Sequence, residues 1–221
     1  LELQNSKNGA VAVTEAHNEL LRFYYTPKVS YLCDELYEQE EKSCWELCCP
    51  ENVGRWSAVG YYFARKLAAQ LDVPVGIIGC NWGGTSASCW MSREALENDK
   101  VISSYVEEYD AIVAEQDFDA YCKEREEYIV YQAEFDKNCK HYYETTPNPT
   151  WEGALEVCGE NKYPGPMGPR SEYRPAGLYE TMIQRIAPYT LAGFLYYQGE
   201  EDDKKPRSYY NLLTRLIRQW R

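Results

Sequence analysis

The sequence predicts an α/β fold with a parallel sheet, and three observations carry that expectation. Val75, Ile77 and Ile78 form a short apolar run, long enough for a buried parallel strand. Gly79-Cys80-Asn81-Trp82-Gly83-Gly84-Thr85-Ser86 follows, small and polar apart from one tryptophan. That is the composition of a loop bringing bare backbone close to a ligand at a strand's carboxyl end. Ahead of the strand, Trp56–Leu71 places Ala58, Tyr61, Tyr62, Leu67, Ala68 and Leu71 at three- and four-residue spacings, with Lys66 and Gln70 outward. This is an amphipathic helix, stopped by Asp72 and Pro74, and helix, turn and strand make an αβ unit.

Taken in order, Val11–Ala16 reads as a short helix and Leu20–Tyr25 as a strand ended by Thr26-Pro27. The charged, cysteine-rich stretch 28–52 reads as a long loop carrying Trp45. Ser92 with Glu94 starts a helix. Across 104–143, Tyr105, Tyr109, Ile112, Tyr121, Tyr128 and Phe135 recur at roughly helical intervals, which predicts two helices. They form a helical insertion at about 96–143. Residues 145–175 are rich in proline and glycine and read as loop. Gly177–Ile186 reads as a short helix, Leu191–Tyr197 as a second buried strand, and Tyr209–Arg221 as an amphipathic helix. The second strand ends in Gln198-Gly199-Glu200-Glu201-Asp202-Asp203. If both strands are parallel, this acidic loop and the glycine loop open at one edge.

At 221 residues the expectation is one domain with an elaboration. A net charge of −12 argues against nucleic acid as a partner. No apolar run approaches bilayer length, so no membrane partner is expected. The 21 tyrosines and 6 tryptophans suit ordinary packing or the stacking of sugar rings. Nine cysteines without regular spacing do not form a disulfide framework and favour a reducing, cytoplasmic setting, with an extracellular one left open. Cys44, Cys48 and Cys49 lack a second pair at zinc-ribbon spacing, and neither a metal nor an organic cofactor is called for.

For chemistry, Gln198 could donate N–H to a developing oxyanion, and Glu200 or Asp202 could orient a partner or accept from a sugar hydroxyl. No G-x-S-x-G elbow exists. Ser57 opens a helix, and Ser86 and Ser88 follow the glycine loop. His17 and His141 are the imidazoles on offer, neither in a setting that marks a base. The residues alone give a pocket wall without a catalytic pair.

Four blocks nevertheless resemble the sialate O-acetylesterase family of the GDSL-like (SGNH) hydrolases. They are Val53–Ala64, with its Gly54-Arg55-Trp56-Ser57-Ala58-Val59-Gly60 run; Pro74–Ile78 with Trp82-Gly83-Gly84-Thr85 and Trp90-Met91-Ser92; Gly177-Leu178-Tyr179 with Met182-Ile183 and Ala187-Pro188-Tyr189; and Tyr196-Tyr197-Gln198-Gly199-Glu200 with Asp202. The resemblance implies a flavodoxin-like three-layer fold that removes acetyl groups from sugar hydroxyls, with an acetylated carbohydrate as substrate. It places the oxyanion hole at Gly83, Gly84 and Gln198, and substrate contacts at Trp82, Glu200 and Asp202. In the family the nucleophilic serine precedes a stretch similar to Leu1-Glu2-Leu3, and the histidine follows later. Both are therefore expected beyond residues 1–221, which read as the central part of one domain, truncated at both ends and inactive alone. The alternative is a non-catalytic carbohydrate-binding or interaction domain of the same fold.

Overall fold

A computed structural model describes residues 1–221. Its sheet has three strands, β1 (Asn18–Tyr25), β2 (Glu46–Cys48) and β3 (Val75–Gly79), in the order β2-β1-β3. β1 and β3 run parallel, with Leu21 opposite Val75 and Tyr25 opposite Gly79. β2 is antiparallel to β1, with a register shift between Asn18 and Arg22. Helix α1 (Gly9–Thr14) leads into β1.

Three segments differ from the sequence expectation. Within 28–52, α2 (Asp34–Lys42), β2 and α3 (Pro50–Val53) replace the loop. Asp34 and Glu35 sit in the first turn of α2, Lys42 sits in its last, and Leu36 is fully buried. Charge complementing the helix dipole and one apolar anchor suffice for a helix of this length. The expected second strand, Leu191–Tyr197, does not form: the segment is exposed and has no strand partner. A strand needs a ladder, and no backbone N–H from Thr190 to Gln198 donates an intramolecular bond. The third difference is a helix within 145–175.

Helix α4 (Ala58–Leu71) is capped by Ser57, whose hydroxyl accepts from Gly60 N–H at 3.2 Å. Its Tyr61, Ala64 and Ala68 meet Leu21 and Phe23 of β1 and the indole of Trp56 in the first apolar cluster. β3 is half-buried rather than buried throughout. Beyond it come α5 (Arg93–Glu97), α6 (Ser104–Ala114) and the long α7 (Phe118–Thr145), the expected helical pair. The unexpected helix is α8 (Trp151–Cys158), capped by the Thr150 hydroxyl and lying against α7 through Phe135 and Trp151. The expected helix at 177–186 forms, wound as a π-helix over Tyr179–Ile183 and ending in α9 (Gln184–Ile186). The last is α10 (Tyr209–Trp220). A second apolar cluster joins Trp90 and Met91 to Leu96, Leu178, Leu212 and Leu216. The glycine loop bridges the two clusters.

Cys89 lies inside that second cluster, and burial, with the Asp202 charge behind it, pushes its thiol up to about 12. Between about pH 9 and about 12 the unfolded chain gives up this proton while the folded chain keeps it, so stability falls as pH rises across that window. Thermal melts with wild type and Cys89→Ala should show a shallower alkaline loss in the variant. Parallel slopes would remove Cys89 as a contributor.

Candidate functional site

Because β1 and β3 are parallel, their carboxyl ends share one sheet edge, and β3 runs there into the loop Cys80–Ser86. Thr85 is buried and anchors the loop. Its hydroxyl donates to the Trp82 carbonyl at 2.8 Å and accepts from the Trp90 indole at 2.9 Å. With both ends of the turn held, Gly83 and Gly84 stay exposed between them. Gly84 has φ +72°, a left-handed conformation that glycine adopts without cost. Neither glycine N–H makes an intramolecular hydrogen bond, so both are available to a ligand.

The acidic loop closes on this turn through Asp202, which is 2% exposed. One carboxylate oxygen accepts from the Ser86 hydroxyl at 2.6 Å and the Tyr105 hydroxyl at 3.3 Å. The other accepts from Ala87 N–H at 2.9 Å and the Gln198 amide at 2.5 Å. No lysine or arginine pairs with Asp202, so hydrogen bonds alone hold its charge. Burial is the main cause that raises the Tyr105 phenol above its usual range, and the adjacent Asp202 charge adds to it.

Gln198 joins the loops directly. Its amide also donates to the Thr85 carbonyl at 3.1 Å, and its side-chain oxygen accepts from Tyr196 at 2.7 Å. Both amide protons are therefore engaged, and the Thr85 bond is the longer of the two. The backbone carbonyl of Gln198 accepts from Tyr209 of α10 at 3.0 Å.

The structure thus brings Gly83, Gly84, Gln198 and Asp202 together. Trp82 is half-buried and packs on the second cluster. Glu200 is exposed and its side chain makes no hydrogen bond. Ser57 serves as the α4 cap. Ser86 donates to Asp202 and accepts from Ser88 N–H at 3.1 Å, again a capping geometry. His17 precedes β1, at the opposite sheet edge, and His141 is exposed near the end of α7. No group of three or more histidine, cysteine or acidic side chains is arranged to hold a metal ion.

Two contributors went unread in the sequence. Tyr105 from α6 reaches Asp202, and Tyr163 donates to the Gly84 carbonyl at 2.8 Å. Tyr105 showed only as one apolar position of a helix, and nothing in the sequence singles out Tyr163. Chemically the arrangement offers two free backbone donors on a pinned turn, suited to an oxyanion.

The two glycines should respond differently to alanine. A Cβ on Gly84 would lie 2.6 Å from the Tyr163 hydroxyl, in a backbone conformation strained for any L-residue. Gly84→Ala is expected to cost about 1–2 kcal/mol, about 2–8 °C in Tm. A Cβ on Gly83 meets nothing within 4 Å, so Gly83→Ala should melt like wild type. Equal melting of both variants would contradict this account of the turn.

No family model matches the chain. Sialate O-acetylesterase from Mus musculus is 26% identical over 166 residues, a match spanning 75% of this chain and 25% of that protein. Sialate O-acetylesterase from Rattus norvegicus is 44% identical over 41 residues, 19% of this chain and 8% of the relative. The chain thus spans about a quarter of the first relative's length. A crystal structure of a carbohydrate acetylesterase from Xanthomonas citri superposes with a TM-score of 0.59 at 22% identity, covering 100% of this chain and 34% of that one. The sequence is similar to that of sialate O-acetylesterases, and the α/β fold is similar to that of a carbohydrate acetylesterase.

Proposed function

We propose that this chain carries the oxyanion side of a carbohydrate O-acetylesterase, built as a flavodoxin-like three-layer domain with α6 and α7 as an insertion. The observation that carries the reading is the turn at Gly83 and Gly84, with two uncommitted N–H groups at the carboxyl edge of a parallel strand. The similarity to acetylesterases supplies the reaction class. A serine attacks the acetyl carbonyl and a histidine takes its proton, both from sequence flanking residues 1–221. The glycine N–H groups stabilise the tetrahedral oxyanion, the sugar alcohol leaves, and water releases acetate from the acetyl-serine. Gln198 adds a donor by turning the proton it now gives to Thr85. Asp202 holds the two loops in register, and Trp82 and Glu200, from the same two loops, are the residues assigned to contact the acetylated sugar.

The test is acetate release from O-acetylated sugars by the full-length gene product. Turnover that disappears when the flanking serine is replaced by alanine supports the reading. Sugar binding with no acetate release from the full-length protein would instead favour a carbohydrate-binding domain of the same fold.

A further inference from the structure

Gly83 and Gly84 have no side chains to hold the oxyanion turn, and glycine takes either sign of φ about as readily. Thr85 fixes the turn at its two ends, through the Trp82 carbonyl and the Trp90 indole. Between those ends a single hydrogen bond reaches the glycine backbone, donated by the Tyr163 hydroxyl to the Gly84 carbonyl at 2.8 Å. With Thr85 anchored behind it and its own carbonyl held, Gly84 cannot leave φ +72° without breaking that bond. A swing to negative φ would rotate the peptide between the two glycines and re-aim the Gly84 N–H.

Tyr163 is itself aimed by α7. The segment that carries it runs along that helix and is fastened on both sides of the tyrosine. On one side Tyr131 donates to the Glu160 carbonyl at 2.7 Å, and the Lys162 ammonium lies 4.0 Å from the centre of the Tyr131 ring. On the other, the Tyr121 hydroxyl accepts from the Arg170 N–H at 3.1 Å. Tyr173 then packs edge to face on the Tyr163 ring at 5.3 Å. A continuous set of contacts thus leads from the helical insertion to the carbonyl of Gly84.

We infer that Tyr163 is a positioning residue, held by α7 so that the Gly83 and Gly84 N–H groups are preset for a developing oxyanion. The oxyanion part rests on the esterase reading; the restraint on the turn does not. Donors already in place need no reorganisation as charge develops, so loosening the turn raises the barrier without weakening substrate binding. The insertion then serves the reaction as a brace, although neither α6 nor α7 supplies a group that touches the acetyl carbon.

Tyr163→Phe in the full-length protein tests this, because it removes the hydroxyl and keeps the ring against Tyr173. One neutral hydrogen bond is at stake, so kcat for acetate release should fall about three- to tenfold, with KM and Tm little changed. In glycine-labelled protein, the Gly83 and Gly84 amides should move from the rigid range of order parameters, about 0.85, toward the flexible range below about 0.6. A kcat within about twofold of wild type, a loss carried by KM instead, or unchanged order at both glycines would each overturn the proposal. No acetate release from the wild-type full-length protein would retire the esterase reading alone. The restraint would then be judged on the amides, where loosening in Tyr163→Phe upholds it and equal rigidity in both proteins overturns it.

Discussion

Asp202→Ala is expected to lower folding stability by about 3 kcal/mol, about 6–12 °C in Tm for a chain of this size. The carboxylate is buried and receives four donors from three segments of the chain, the Ser86–Ala87 turn, α6 and the acidic loop. Removing it leaves the Ala87 N–H without an acceptor and frees Gln198 from its strongest contact. Asp202→Asn should cost only about 1 kcal/mol, because the donors are sorted by side. Ala87 N–H and the Gln198 amide share one oxygen and can only donate, so the new carbonyl must face them. The new amide then faces Ser86 and Tyr105, whose hydroxyls can rotate and accept. Equal losses for Ala and Asn would show that the charge, not the sorted bonds, matters. An alanine loss below about 0.5 kcal/mol would show that Asp202 does not hold the loops together.

The legible parts of this sequence are those where a local pattern fixes the outcome. Ser57, Ser92 and Thr150 all cap helices, and the first two were read because apolar residues follow at helical spacing. Thr150 has the same chemistry, but Pro149 before it and Gly159 after it made the segment look like loop, although proline before and glycine after also punctuate a helix. Leu191–Tyr197 shows the opposite failure. Its apolar, aromatic composition gives a strand, yet composition cannot supply the neighbouring strand on which a ladder depends. The glycine turn is readable because Gly83-Gly84 lies in a small, largely polar stretch that follows an apolar run. Its partnership with Asp202 spans more than a hundred positions in sequence, and no spacing rule reaches that far. Tyr163 enters from a proline-rich loop with no period, so only the folded chain shows it touching Gly84.

Gln198→Ala in the full-length protein is expected to lower kcat by about 10²–10³ with KM little changed, the loss that follows removal of one oxyanion donor. The geometry makes this a demanding prediction, because both Gln198 amide protons already have acceptors. The bond to Asp202 at 2.5 Å goes to a charged oxygen, and the bond to Thr85 at 3.1 Å goes to a neutral carbonyl. Charge-assisted bonds are about twice as strong as neutral ones, so the Thr85 bond yields first when an oxyanion develops nearby. The oxyanion then accepts a hydrogen bond from an amide that Asp202 and Tyr196 still hold in orientation. Asp202→Asn keeps an oxygen facing that amide and should retain most of kcat, although it touches the same network. A Gln198→Ala loss under about threefold, with a Tm drop like that of other network variants, would leave Gln198 as a brace between the loops. In that case the stabilising donors would be the N–H groups of Gly83 and Gly84 alone. Gly83→Ala, which meets nothing in the free protein, would then be the variant to read in kcat rather than in Tm.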